Sequence, residues 1–222
     1  MDWRFNTIWF DQLDENTVCQ IDFEEIKNFD DFSSILYASI HKLKYDSKSF
    51  LAIEKFEKLL FLELNSGNLI NFKGLSNLNT LKRLELHYCV KLESDFGLKN
   101  FSDNLEFLHI NMSRKFKFSD ELLSLKKLKV LCLNDCGDIE NLDFLENFPN
   151  LIDFRFVDTK VLSCDLSPIL NHPSLRTVGF VDKRQYNFKC DQINSILENK
   201  DKNQYKFFVS KGQYETFRYN YD

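Results

Sequence analysis

A period of about twenty-three residues runs through the middle of the chain and limits its possible folds more than any other feature. Segments beginning at Leu59, Leu81, Leu105, Leu128, Leu151 and Leu175 follow one another at steps of 22, 24, 23, 23 and 24 residues. The fourth position of each segment reads Leu62, Leu84, Leu108, Leu131, Phe154 and Val178, and the sixth reads Leu64, Leu86, Ile110, Leu133, Phe156 and Phe180. The twelfth reads Ile70, Leu92, Phe116, Ile139, Leu162 and Tyr186. All twenty-four positions are apolar in a chain that is 43% hydrophobic. Chance would produce this roughly once in 10⁹ trials, before discounting for the choice of register. Positions four and six alternate with outward residues, as a half-buried strand requires. One segment cannot bury its apolar face alone, so the turns must stack and share a core. The twelfth residue is expected to fill that core from the far side.

The L-x-x-L-x-L spacing resembles the leucine-rich repeat family over residues 59–188. Pro149 and Pro173, each two residues before a segment start, fit the family pattern, as does a short side-chain donor at the ninth position in Cys89, Ser113, Cys136 and Thr159. Gly67 and Lys183 depart from it at the two ends. The resemblance implies an α/β, right-handed solenoid, with parallel strands on a concave face and short helices or 3₁₀ turns on a convex one. A helix at Ser119–Leu125, capped by Ser119 or Asp120, is one expected return segment. Ile35, Ala38 and Ile40 extend the pattern one turn upstream. Phe50, Ile53, Phe56 and Leu60 then fall at helical spacing over 46–60. Three regions follow: an N-terminal cap over 1–34, about seven turns over 35–188, and a C-terminal cap over 189–222. The last is expected to be a helix from Cys190 to Asn199, then a hairpin with strands Tyr205–Ser210 and Glu215–Tyr221 around Lys211-Gly212. That hairpin is expected to pair onto the last repeat.

The remaining composition excludes several functions. Six glycines in 222 residues give little material for phosphate-cradling loops, and a net charge of −5 offers no attraction to nucleic acid. No basic leader with an apolar run and no membrane-length apolar stretch is visible, so a cytoplasmic chain with six free thiols is expected. The C-x₃-C of Cys132 and Cys136 has no second pair at metal spacing, and neither a metal nor a cofactor is expected. Charge is uneven, with nine acids against two bases in residues 1–31. This is either a solubilising face or a contact for a basic partner.

The working surface is expected on the outward rows of the strands. From these rows Arg83, Glu85, Tyr88, Phe107, His109, Asn111, Asn134, Asp153 and Arg155 form the candidate partner-binding strip, since aromatic and Arg groups supply most interface anchors. The resulting reading is a non-enzymatic module that binds another protein through its concave face. Asn-, Lys- and Phe-rich usage suggests an AT-rich, bacterial coding sequence, and small acidic repeat chains of this kind are similar to some immunity proteins that neutralise a toxin. Two alternatives stand beside it. One is a thiol-dependent enzyme using the row Glu85-His109-Cys132, in which neighbours on adjacent strands stand about 4.8 Å apart. The other is a scaffold or adaptor.

Overall fold

The computed structural model describes residues 1–28, 31–74, 78–200 and 204–220. Its centre is one sheet of eight parallel strands in chain order. They are β1 (Val18–Asp22), β2 (Tyr37–Leu43), β3 (Phe61–Gly67), β4 (Arg83–His87), β5 (Phe107–Ser113), β6 (Val130–Cys136), β7 (Asp153–Arg155) and β8 (Thr177–Gly179). The register is that of the sequence period: Leu62 pairs with Leu84, Leu84 with Leu108, Leu108 with Leu131, Leu131 with Phe154 and Phe154 with Val178. The architecture is therefore an α/β leucine-rich-repeat solenoid.

The inward rows make a continuous core in which positions one, four and six are buried in every turn from Leu59 onward. The twelfth position needs correction in two turns. Ile70 and Leu162 are exposed, and the residues just before them, Leu69 and Val161, fill the core instead. In those turns the chain leaves the strand and re-enters the core one residue sooner. Phenylalanine fills much of the width: Phe50 stacks on Phe72, and Phe154, Phe156 and Phe180 stack in series.

The convex returns are shorter than helical spacing suggests. Over 46–60 the only helical piece is a 3₁₀ turn at Phe50–Ile53. A turn of 22–24 residues that also holds a strand leaves no room for a longer helix. The expected helix near Ser119 is the single α-turn α1 (Asp120–Leu123), and its side-chain cap comes from the preceding repeat. Asp95 Oδ2 accepts from the backbone N–H groups of Ser119 and Leu122, at 2.7 and 2.9 Å. A second short α-helix, α2 (Ser167–Asn171), lies between β7 and β8.

Ninth-position side chains join successive turns. Ser113 Oγ donates to the Cys89 carbonyl, Cys136 Sγ to that of Ile110, and Thr159 Oγ1 to that of Leu133. Just before each of these, position eight adopts a left-handed backbone. Lys42, Ser66, Tyr88, Met112, Asp135 and Asp158 have φ between 46 and 67°. The corner turns position nine inward and throws position eight outward.

Beyond the repeats, α3 (Cys190–Glu198) closes the C-terminal end against β8. Asn194 accepts the N–H of Val178 and donates to its carbonyl. A hairpin follows, made of β9 (Lys206–Lys211) and β10 (Tyr214–Tyr219). The expected strand reached Tyr221, which lies outside the described residues. Among the described residues the hairpin forms its own two-stranded antiparallel sheet and does not pair onto the last repeat, a correction to the sequence reading. It crosses the outward face of the large sheet, because its buried Tyr219 packs with Phe107, Val130 and Cys132. At the opposite end, residues 1–34 contain β1, which enters the sheet with Cys19 opposite Ala38 and Ile21 opposite Ile40. Among the described residues no helix is long and apolar enough to cross a membrane.

Candidate functional site

Strand alternation brings Arg83, Glu85, Phe107, His109, Asp153 and Arg155 onto the outward face of adjacent strands, where the sequence pattern expects them. That face is not open over its middle. The N-terminal arm pairs antiparallel with the outer edge of β10, through a bridge between Phe5 and Arg218. Asn6 N–H donates to the Phe217 carbonyl at 2.8 Å, and Tyr219 N–H to that of Arg4 at 3.0 Å. Arm and hairpin together form a clasp over the strip.

The clasp is fastened by the two charged members of one row. Third positions along the sheet read Tyr37, Phe61, Arg83, Phe107, Val130, Asp153 and Thr177. Arg83, 2% exposed, donates to the backbone carbonyls of Trp3, Phe5 and Asn6, with Nη1–Trp3 O at 2.9 Å and Nη2–Asn6 O at 2.8 Å. Its guanidinium lies 3.9 Å from the Phe107 ring centroid, and its Nε donates to Glu85 Oε1 at 2.6 Å. Asp153 is fully buried and receives the Tyr219 hydroxyl at 2.5 Å and Arg155 Nη2 at 2.8 Å. Lys206 Nζ stands 3.7 Å away. Arg83 thus holds the N-terminal arm, and Asp153 holds the hairpin.

Glu85 links this anchor to two histidines. Its Oε2 lies 3.0 Å from His87 Nε2 and 3.4 Å from His109 Nδ1. Burial opposes ionisation of Glu85, but Arg83 and the two imidazoles outweigh it and hold the carboxyl well below the usual range. Burial lowers His109, while on His87 the bond and charge of Glu85 outweigh burial and raise it.

These three ligand atoms lie within 4.8 Å of one another, close enough to share a cation. The remote ring nitrogens argue for protons instead. Asn134 Oδ1 accepts the Val157 N–H at 3.0 Å, which turns its Nδ2 toward His109 Nε2 at 3.1 Å. His109 Nε2 is then an acceptor, and Nδ1–H donates to Glu85. A metal-bound histidine needs the reverse polarity, with its outer N–H donated to an acceptor. The arrangement suits a carboxylate receiving imidazole N–H groups.

The catalytic row is adjacent but not connected. His109 bonds Glu85 and Asn134, whereas Cys132 is buried at 2% exposure, and burial pushes its thiol far above the ordinary value. Such a group supplies no thiolate.

Of the nine candidate strip residues, Arg83, Glu85, Phe107 and Asp153 are buried, while His109, Asn111, Asn134 and Arg155 are partly covered. Tyr88 is exposed, at 48%, because its left-handed corner carries it off the strand. The clasp residues Trp3, Tyr219 and Lys206 do not belong to the repeat, and periodicity gives no means of finding them. The unmatched charges Arg83 and Asp153 in an otherwise largely apolar row were the available signal.

Comparison with known proteins gives likeness in structure only. The fold is similar to internalin C2 from Listeria monocytogenes str. 4b F2365, with 21% identity and a TM-score of 0.46 over 67% of this chain and 72% of that one. It is also similar to a second internalin from the same strain, with 18% identity and a TM-score of 0.42. That match covers 68% of this chain but only 51% of the internalin, about half its length. No protein-family model matches the chain, and no curated protein does.

Proposed function

We propose that this protein is a non-enzymatic module that binds another protein, and that its partner is a toxin whose activity it blocks. The observation that carries the reading is the distribution of satisfied and unsatisfied surface. Much of the polar strip is consumed internally, and burial pushes the Cys132 thiol above its ordinary value, which supports binding over thiol chemistry. Large apolar side chains remain exposed, at Tyr88 on the strip's rim with Val90 beside it, and at Phe207, Phe208, Val209 and Tyr214 on the hairpin. Such patches are characteristic of association surfaces. On the strip itself the open contribution comes from Tyr88, with Asn111 and Asn134 beside it. The exposed acids of the N-terminal region, including Asp14, Glu15, Glu24 and Glu25, would speed encounter with a basic partner.

The test is co-expression with the product of the neighbouring gene, followed by size-exclusion chromatography and a viability assay. A stable complex that restores growth is the expected result. Full toxicity with no complex would remove the toxin reading, and a complex with a harmless partner would leave only the binding module.

A further inference from the structure

Resting on the protein-binding reading, we propose that the cavity between the N-terminal arm and the strands receives the guanidinium group of an arginine on the partner, with the Glu63 carboxylate as its counter-ion. About 280 Å³ of space lies beneath the arm, bounded by Ile8 and Phe10 on one side and by Phe61, Glu63, Glu85 and His109 on the other. Glu63 and His109 are partly exposed, so the cavity opens to solvent along the fifth positions of the strands.

Charge in this cavity is incompletely balanced. Glu63 on β3 pairs in register with Glu85 on β4, which sets two carboxylates side by side. Like charges directly opposed on neighbouring strands are destabilising. Glu85 has its own donors, with Arg83 Nε at 2.6 Å and His87 Nε2 at 3.0 Å. Glu63 has no hydrogen bond or ion pair among the described residues. The charged and titratable groups that act on it are Glu85, His87, His41 and Arg83. Of these, Arg83 and His87 are bonded to Glu85, and His41 Nε2 lies 3.5 Å from Ser39 Oγ. Arg155, which also lines the cavity, is paired with Asp153. Glu63 is left without a paired charge.

The neighbouring strand shows what completes such a site. On β4 the Arg83 guanidinium lies 3.9 Å from the Phe107 ring centroid and donates to Glu85. On β3 the third and fifth positions are Phe61 and Glu63, and Phe10 packs edge-on to Phe61 at 5.8 Å. The aromatic wall and the carboxylate are repeated there without the cation. A guanidinium stacks on aromatic rings and donates two parallel bonds to a carboxylate, which an ammonium cannot do. The volume falls below the roughly 300–1,000 Å³ of drug-sized ligand pockets, which suits a single side chain. Exposed Asp11, Asp14 and Glu15 follow Phe10 on the arm and favour a basic surface around that arginine.

The probe is the peptide acetyl-Gly-Arg-Gly-amide, titrated into the full chain and followed at the side-chain carboxyl carbon of Glu63 by NMR. Its citrulline and lysine counterparts are the controls. The arginine peptide should bind at least about ten-fold more tightly than either. Burial and the charge of Glu85 raise Glu63 above its ordinary 4.5, and a bound cation favours the ionised form. Saturating peptide should therefore lower the pH midpoint of the Glu63 signal in the native chain. Glu63→Gln, which relieves the contact with Glu85, should keep the fold's amide spectrum and abolish the preference for arginine over citrulline. Equal binding of the arginine peptide and either control, or an unmoved Glu63 midpoint, would overturn the proposal. Methylguanidinium binding as tightly as the peptide would overturn the partner as the source of the group. A protein partner that binds Glu63→Gln with unchanged affinity would overturn the cavity as a docking point, yet leave the protein-binding reading standing. Absence of any protein partner would instead remove the reading beneath it.

Discussion

On the inner side of the sheet, Leu84 packs between Leu62 and Leu108, like against like. On the outer side, one residue away in sequence, Arg83 reaches back nearly eighty positions to three carbonyls of the N-terminal arm. The inner core repeats one apolar solution turn after turn, and any member is replaceable by another of similar volume. The outer layer depends on two unique charges, Arg83 and Asp153, each buried and each fastening one end of the chain. Removing a core leucine leaves a cavity. Removing an anchor takes a charge-assisted bond from buried polar groups that no water replaces, which costs a comparable amount.

That contrast can be broken most forcefully at Arg83. Arg83→Met keeps the volume but leaves Glu85 with only its two imidazoles and strands three carbonyls. It should cost about 3–5 kcal/mol in urea denaturation. Leu131→Ala, in the middle of the inner core, should cost about 2–5 kcal/mol, with the whole solenoid losing stability together. An Arg83 variant as stable as the native chain would mean that the outer layer is decoration.

The same contrast explains what was legible in the sequence. The solenoid, its register and the inner rows follow from a period that every turn must obey, so Leu62, Leu84, Leu108 and Leu131 could be placed from spacing alone. The exceptions Ile70 and Leu162 mark turns one residue tighter, a change invisible to a fixed count. β1 escaped because Cys19 and Ile21 precede Ala38 and Ile40 by only 19 residues, too few for the repeat step. The clasp follows no period at all. Tyr219 finding Asp153 is a contact between positions 66 apart, and only the misplaced charges hinted that something would cover them. The strip's composition pointed to an anchor surface, and in this structure several of its anchors hold the chain's own ends.

Smaller perturbations sharpen the distinction. Tyr219→Phe removes only the hydroxyl that reaches Asp153. It should cost about 1–3 kcal/mol and leave the solenoid's far-UV spectrum intact. Glu85 is held well below its ordinary 4.5, so its ionised form stabilises the fold above that pH, and this contribution is lost as pH falls through the lower folded-state value. Glu85→Gln should therefore flatten the acid limb of the stability profile below about pH 4.5, whatever it costs at neutrality. Tyr88→Ala, at an exposed corner, should change stability by less than about 0.5 kcal/mol. A weakened complex from that variant would assign the open rim to binding.

The most direct measurement is hydrogen exchange at the backbone amides of Asn6 and Tyr219, which close the arm onto the hairpin, compared with Leu131 in the inner core. In the native chain Asn6 and Tyr219 should be strongly protected. In Arg83→Met they should lose that protection together under native conditions, while Leu131 stays protected. Exchange at Asn6 and Tyr219 as fast as in an unfolded chain, with Arg83 intact, would contradict a clasp built into the fold.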